Sequence, residues 1–214
     1  MTETLLGAAP AQLGAAGLVL PDGNGGLGEP TALLGAAPAR LGATKLVLID
    51  GHSGAGKTTF AEGLSRSVGG ELVHTDDLLD GWDDQFTYWK RLVRNVFEPI
   101  AEGRPGGYWR YDWLLGKFVE WVAVKPAPIL IVEGVGAARA EGRTLASLSV
   151  FIDAPRSLRE ARSLARDGQA MQTHLARWRH REDLHFGADA TAWCADMVIG
   201  SAHESRPLMV RQSS

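Results

Sequence analysis

The chain predicts a three-layer α/β domain: a mostly parallel sheet covered on both faces by helices, with a small β-hairpin insertion and an arginine-rich helical lid. Three observations lead there. Short β-branched and leucine-rich runs alternate with helix-length segments, as in a sheet whose strands are joined by crossover helices. One of these runs, Leu46 to Ile49, breaks into a glycine-rich turn and then into a helical pattern. Later runs end in acids, at Glu133 and Asp153, and loops after the carboxyl ends of parallel strands are where such sheets hold ligands.

The turn is the most informative stretch. Gly51-His52-Ser53-Gly54-Ala55-Gly56-Lys57-Thr58-Thr59 fits Gly-x-x-x-x-Gly-Lys-Thr, and Phe60, Leu64 and Val68 follow four apart. Strand, phosphate loop and helix in that order give the Walker A pattern its physical context, that of a P-loop NTPase. Glycines let successive backbone N–H groups curl around an anion, and the helix N-terminus adds partial positive charge. The expected ATP contacts here are Gly51, Ser53, Gly54, Ala55, Gly56, Lys57, Thr58 and Thr59. Lys57 would reach the β- and γ-phosphates, and the Thr58 hydroxyl would ligate Mg²⁺.

Composition narrows the class. With 214 residues the chain suits one α/β domain with some excess. A net charge of −3 gives no reason to expect nucleic acid or an anionic membrane as partner. No apolar run approaches the ~20 residues that span a bilayer. Glu3, and the lack of Lys or Arg before Arg40, argue against a basic leader, so a cytoplasmic location is expected. The single cysteine, Cys194, excludes an internal disulfide and reads as a small buried side chain. The six histidines show no ligand spacing. Oligomeric state is left open.

Residues 1–43 contain a repeat. Leu5-Leu6-Gly7-Ala8-Ala9-Pro10 recurs as Leu33-Leu34-Gly35-Ala36-Ala37-Pro38, and Leu18-Val19-Leu20 continues the register onto Leu46-Val47-Leu48. The segment leading into the phosphate loop is thus present twice, which is too few copies for a solenoid. In the first copy Glu29 stands where Lys57 does, and Pro30, without N–H or hydroxyl, replaces Thr58. This copy is a poor nucleotide site, and the segment is expected to be a loose extension before a domain over 44–203, with a loose tail over 204–214.

Beyond the first helix, Gly69-Gly70 is a stop signal and Leu72-Val73-His74 a short strand. Five carboxylates follow within nine residues, Asp76, Asp77, Asp80, Asp83 and Asp84. Helical spacing runs over 84–102, with Pro99 ending or kinking it. Tyr108 to Trp113 and Phe118 to Val124 pair as a hairpin around Leu115-Gly116-Lys117. Strands are expected at 129–133, 149–153 and 196–200, a basic helix after Pro155, and a further helix from Leu175 to Phe186. Arg159, Arg162 and Arg166, spaced three and four apart, fall on one side of the basic helix.

Other phosphate-loop classes lack support: there is no Asn-Lys-x-Asp guanine reader and no Leu-Ser-Gly-Gly-Gln signature. Over about residues 44–200 the chain resembles the uridine kinase and phosphoribulokinase-like group of small-molecule kinases. The phosphate loop, Asp76 after a short strand, Tyr111-Asp112 before a hairpin turn, Val132-Glu133-Gly134, and Asp153 followed by the lid arginines carry that resemblance. It departs at Gly116-Lys117-Phe118, where uridine kinases usually have a His and an Arg. The resemblance implies an ATP- and Mg²⁺-dependent phosphotransferase acting on a hydroxyl of a small molecule, a nucleoside first. Asp76 would be the base, with Lys57 and Arg162 also catalytic. Arg159, Arg162 and Arg166 would hold phosphates, Asp76, Tyr111 and Asp112 the acceptor, and Glu133 the Mg²⁺ through water. A non-nucleoside alcohol, a nucleoside monophosphate, or ATP binding without turnover are the alternatives.

Overall fold

The computed structural model describes residues 27–200 and the backbone of 209–210. Most of the first repeat copy and most of the expected tail lie outside the described residues. The strands are β1 (Lys45–Gly51), β2 (Glu71–His74), β3 (Gly106–Asp112), β4 (Lys117–Val124), β5 (Ile129–Glu133), β6 (Leu148–Asp153), β7 (Met197–Gly200) and β8 (Met209–Val210). Five of them form the parallel array β2-β5-β1-β6-β7, and β8 adds to β7 in the antiparallel sense. β3 and β4 make a separate antiparallel hairpin with an irregularity between Arg110 and Tyr111.

The central position of β1 explains its uniformly apolar sequence. Leu46 and Leu48 enter one core, shared with Leu130, Val132 and Trp89, while Val47 and Ile49 enter the opposite one with Phe60, Leu64 and Ile152. A strand covered on both faces has no polar side to show. The second face is closed by α2 (Lys57–Val68), which ends where Gly69, in a left-handed conformation, donates its N–H to Ser65 O.

Expectations for two helical segments need correction. The helix expected from residue 84 begins only at α3 (Trp89–Leu92), because Asp84 is spent on the preceding turn. It accepts the Asp80 N–H at 2.8 Å, is hydrogen-bonded by Thr87 and pairs with Arg91. α3 then widens into a π-turn over Val93–Phe97 before α4 (Glu98–Ala101). Pro99 therefore falls in the first turn of a new helical segment, where its missing N–H costs little.

The second correction concerns the N-terminal segment. Residues Gly28–Ala36 form a helix, α1, with Leu34 only 1% exposed among Phe60, Leu64 and Ile131. Leu27 and Leu33 lie against the same cluster, and Lys45 Nζ donates to Leu34 O and Gly35 O at 2.8 and 2.9 Å. The part of the segment that is described is built into the domain rather than loose.

The carboxyl-terminal half supplies α5 (Ala140–Arg143), α6 (Arg156–Asp167), α7 (Gln172–Asp189) and α8 (Thr191–Cys194). Cys194 is exposed, contrary to its reading as a buried side chain. Among the described residues no helix is long and apolar enough to cross a membrane.

Candidate active site

The phosphate loop leaves the central strand at the sheet's carboxyl edge, and neighbours set its shape. Asp50, the last β1 side chain before it, is fully buried and accepts N–H bonds from Gly51, Gly136 and Ala138 at 2.7–2.8 Å. Burial pushes its carboxyl up to about 6, against the pull of those three donors and of Lys57. At Gly54 the backbone has φ +79°, and a Cβ there would stand 2.4 Å from Arg159 O, so helix α6 can lie directly on the loop only over glycine. Lys57 is 8% exposed, and its Nζ donates to His52 O at 3.0 Å, folded back across its own loop.

Thr58 Oγ1 donates to Glu133 Oε1 at 3.1 Å, and the same oxygen lies 2.6 Å from His74 Nδ1. Register explains the meeting, since Glu133 on β5 sits opposite His74 of β2 on one side and Ile49 of β1 on the other. The glutamate hydrogen bond holds His74 above its ordinary value. Gly134 is required next: at φ +145° a Cβ would overlap Thr75 Oγ1 at 1.7 Å. Thr75 opens the short 3₁₀ turn Thr75–Leu78 that carries Asp76 and Asp77.

Asp76 is open to solvent at this edge, yet its carboxyl is raised. Protein mass around it comes first and the Glu133 charge second, with Lys57 and Arg166 pulling the other way. Asp77 is turned to the hairpin, where Tyr108 Oη donates to its Oδ2 at 3.2 Å.

The three lid arginines divide. Arg162 Nη1 donates to Gly54 O at 3.2 Å and so reaches the phosphate loop. Arg166 is hydrogen-bonded to Asp167 and within electrostatic reach of Asp76. Arg159 turns back to Ala154 O at 2.9 Å.

After that 3₁₀ turn, Asp80 and Trp82 line a cavity of about 340 Å³ with Tyr111, Trp178 and His174, and Asp83 and Arg181 are among its polar groups. Trp82 stacks on His174 with centroids 5.3 Å apart and meets Trp113 and Trp178 edge-on. Asp83 is held by Arg181 at 2.7 Å and Arg177 at 3.5 Å, which keeps it below its ordinary value. Tyr111, one of the expected acceptor contacts, lines this cavity. Asp112, the other, lies at the hairpin turn, where its Oδ1 accepts the N–H groups of Leu114 and Leu115 at 2.8 and 2.9 Å.

The sequence reading missed His74, Trp178 and Glu182. Glu182 is buried against Ser53 from 129 positions away, a pairing that periodicity cannot reveal. Asp112 did carry a turn signal, an Asx residue four before Gly116.

A phosphate loop after the central strand of a parallel sheet, with acids on the two strands beside it, is a P-loop nucleotide-binding architecture. No family model matches the chain, and no curated protein matches it in sequence. Among solved structures, a possible uridine kinase from Bacillus stearothermophilus matches 73% of this chain and 88% of its own at TM-score 0.55 and 21% identity. A protein from Silicibacter sp. TM1040, provisionally named a fructose transport system kinase, matches 70% of this chain and 79% of its own at TM-score 0.46 and 20% identity. The chain shares its fold with that possible uridine kinase.

Proposed function

We propose that the protein is an ATP-dependent kinase that phosphorylates a hydroxyl of a small molecule, with a nucleoside as the acceptor. The observation that carries this reading is the grouping of Asp76, a solvent-open carboxylate, with Lys57, Glu133 and Arg166 at the phosphate loop, on a turn whose continuation, Asp80 to Asp83, lines an aromatic cavity. Phosphoryl transfer needs an oriented nucleophile on one side and positive charge over the transferring group on the other. Asp76 would accept the acceptor's hydroxyl proton; desolvation and the Glu133 charge raise its carboxyl above the ordinary aspartate value, the direction a general base needs. Lys57, released from His52 O, and Arg162, beside Gly54, would steady the phosphates, with Gly51 to Thr59 cradling them and Arg166 completing the charge.

The oxygens of Thr58 and Glu133 suit a hard divalent cation. Mg²⁺ usually takes few protein ligands and keeps water and phosphate for the rest. When bound, such an ion neutralises charge on the β- and γ-phosphates.

A nucleoside is favoured by the walls of the cavity. Trp82, Tyr111 and Trp178 offer flat apolar surface for a planar ring, while Asp83 and His174 offer hydrogen bonds to hydroxyls. Arg177 and Arg181, on the same wall, support a nucleoside monophosphate as the second reading. ATP consumption against a panel of nucleosides, nucleoside monophosphates, sugars and other alcohols tests the proposal. Turnover with a nucleoside is the expected result, and no acceptor-dependent turnover across the panel refutes the kinase reading.

A further inference from the structure

Behind the phosphate loop lies a buried acid that the chemistry above does not use. Glu182 of α7 is 0% exposed. Its Oε1 accepts the Ser53 N–H at 3.0 Å, the Ser53 hydroxyl at 2.6 Å and the Trp178 indole N–H at 2.8 Å. Its Oε2 has no hydrogen-bond partner among the described residues. One residue on, Asp183 pairs with His52 Nε2 at 3.3 Å, and the His52 ring lies edge-on to Phe186 and Phe151. Two successive residues of the phosphate loop are therefore gripped from one turn of a helix far away in sequence.

A carboxylate is expensive to bury, and a negative charge beside a polyphosphate site works against anion binding. Both costs point to a role in shape. The loop contains Gly51, Gly54 and Gly56, so left alone it samples many conformations, and nucleotide binding would have to order it. Ordering the loop beforehand removes that cost from the binding step.

We propose that Glu182 is a positioning residue for nucleotide binding, clamping Ser53 so that the phosphate loop is held in its anion-receiving shape before ATP arrives. This rests on the kinase reading. Trp178 joins the clamp to the acceptor cavity, since the indole that donates to Glu182 also lines that cavity.

The test is calorimetric titration of the full chain with Mg²⁺ and a non-hydrolysable ATP analogue, at a temperature where each variant is folded by its melting curve. Glu182→Ala removes the acceptor shared by the three donors of Ser53 and Trp178 and should weaken affinity by roughly 10- to 100-fold. Glu182→Gln keeps one accepting oxygen and should stay within about threefold of the parent. Ser53→Gly, at an accessible loop position, removes the hydroxyl bond and adds backbone freedom; a loss of about 3- to 10-fold is expected, and this variant carries the test if Glu182→Ala does not fold. A Glu182→Ala protein that melts earlier but binds as tightly overturns the clamp, as does unchanged affinity in Ser53→Gly. Equal losses in the Ala and Gln variants assign the effect to charge and overturn it too. No binding by the parent protein overturns the kinase reading itself.

Discussion

Leu34→Ala tests whether the N-terminal helix belongs to the domain. Leu34 is 1% exposed, and its neighbours Phe60 and Leu64 belong to α2, the helix that presents the phosphate loop. Truncation removes the transfer energy of the lost carbons and leaves a cavity, a combination that costs about 2–5 kcal/mol for buried leucines. The site lies between two helices rather than deep in the sheet, so partial collapse favours the lower half of that range. For a chain of this size 1 kcal/mol moves the melting temperature by about 2–4 °C, so a fall of roughly 4–12 °C is expected. Thermal unfolding followed by circular dichroism measures it, with Leu33→Ala, at a half-buried neighbour, as the milder comparison. A shift below about 2 °C for Leu34→Ala would refute the reasoning and restore the view of a loose extension.

Lys57→Ala should lower the rate of phosphoryl transfer by at least about 10²-fold, the scale for one preorganised charge-stabilising group, with little change in the melting temperature. Asp76→Asn should leave ATP binding intact and lower kcat by about 10²- to 10⁴-fold; weakened nucleotide affinity in the same variant would move Asp76 to the metal instead. Because Asp76 is raised, the acidic limb of kcat/KM should lie above the ordinary aspartate range, and a limb near pH 4 or below would contradict the assignment. His74 is raised by Glu133, so that contact stabilises the fold fully below pH 6.5 and ceases to do so as pH climbs through the raised value. Urea unfolding without nucleotide or divalent cation should show His74→Asn less stable than its parent at pH 6 and nearly equal to it at pH 9, and the opposite trend would refute the pairing.

How much could be read beforehand depended on whether the cause was local. The strands of the parallel sheet were legible because a strand buried on both faces must be apolar throughout, as Leu46 to Ile49 and Ile129 to Val132 are. The phosphate loop was legible because its glycines and lysine meet a demand made within nine residues. The hairpin, too, announced itself by its turn. What stayed hidden were contacts between distant segments: His74 with Glu133, Glu182 with Ser53, and Asp83 with Arg181. Asp84 was hidden for another reason. A short acid can serve a turn as well as a helix start, and here the backbone of Asp80 and the guanidinium of Arg91 decided for the turn. In α1, leucine, alanine and glycine mix without a clear polar face, so composition alone could not show that Leu34 had somewhere to go.

The docking of α1 bears on how this gene can change. Leu5 and Leu33 are 28 residues apart, and a direct repeat of that length can misalign when it is copied. Excision of one unit joins Thr4 to Leu33, keeping Leu34 and everything from Lys45 to Thr59 while discarding Gly28 to Ala32, the first half of α1. Gain of a unit would leave the same loop untouched downstream. Length at this end can therefore drift in steps of 28 without passing through a broken phosphate loop, and what each step alters is the strut behind α2.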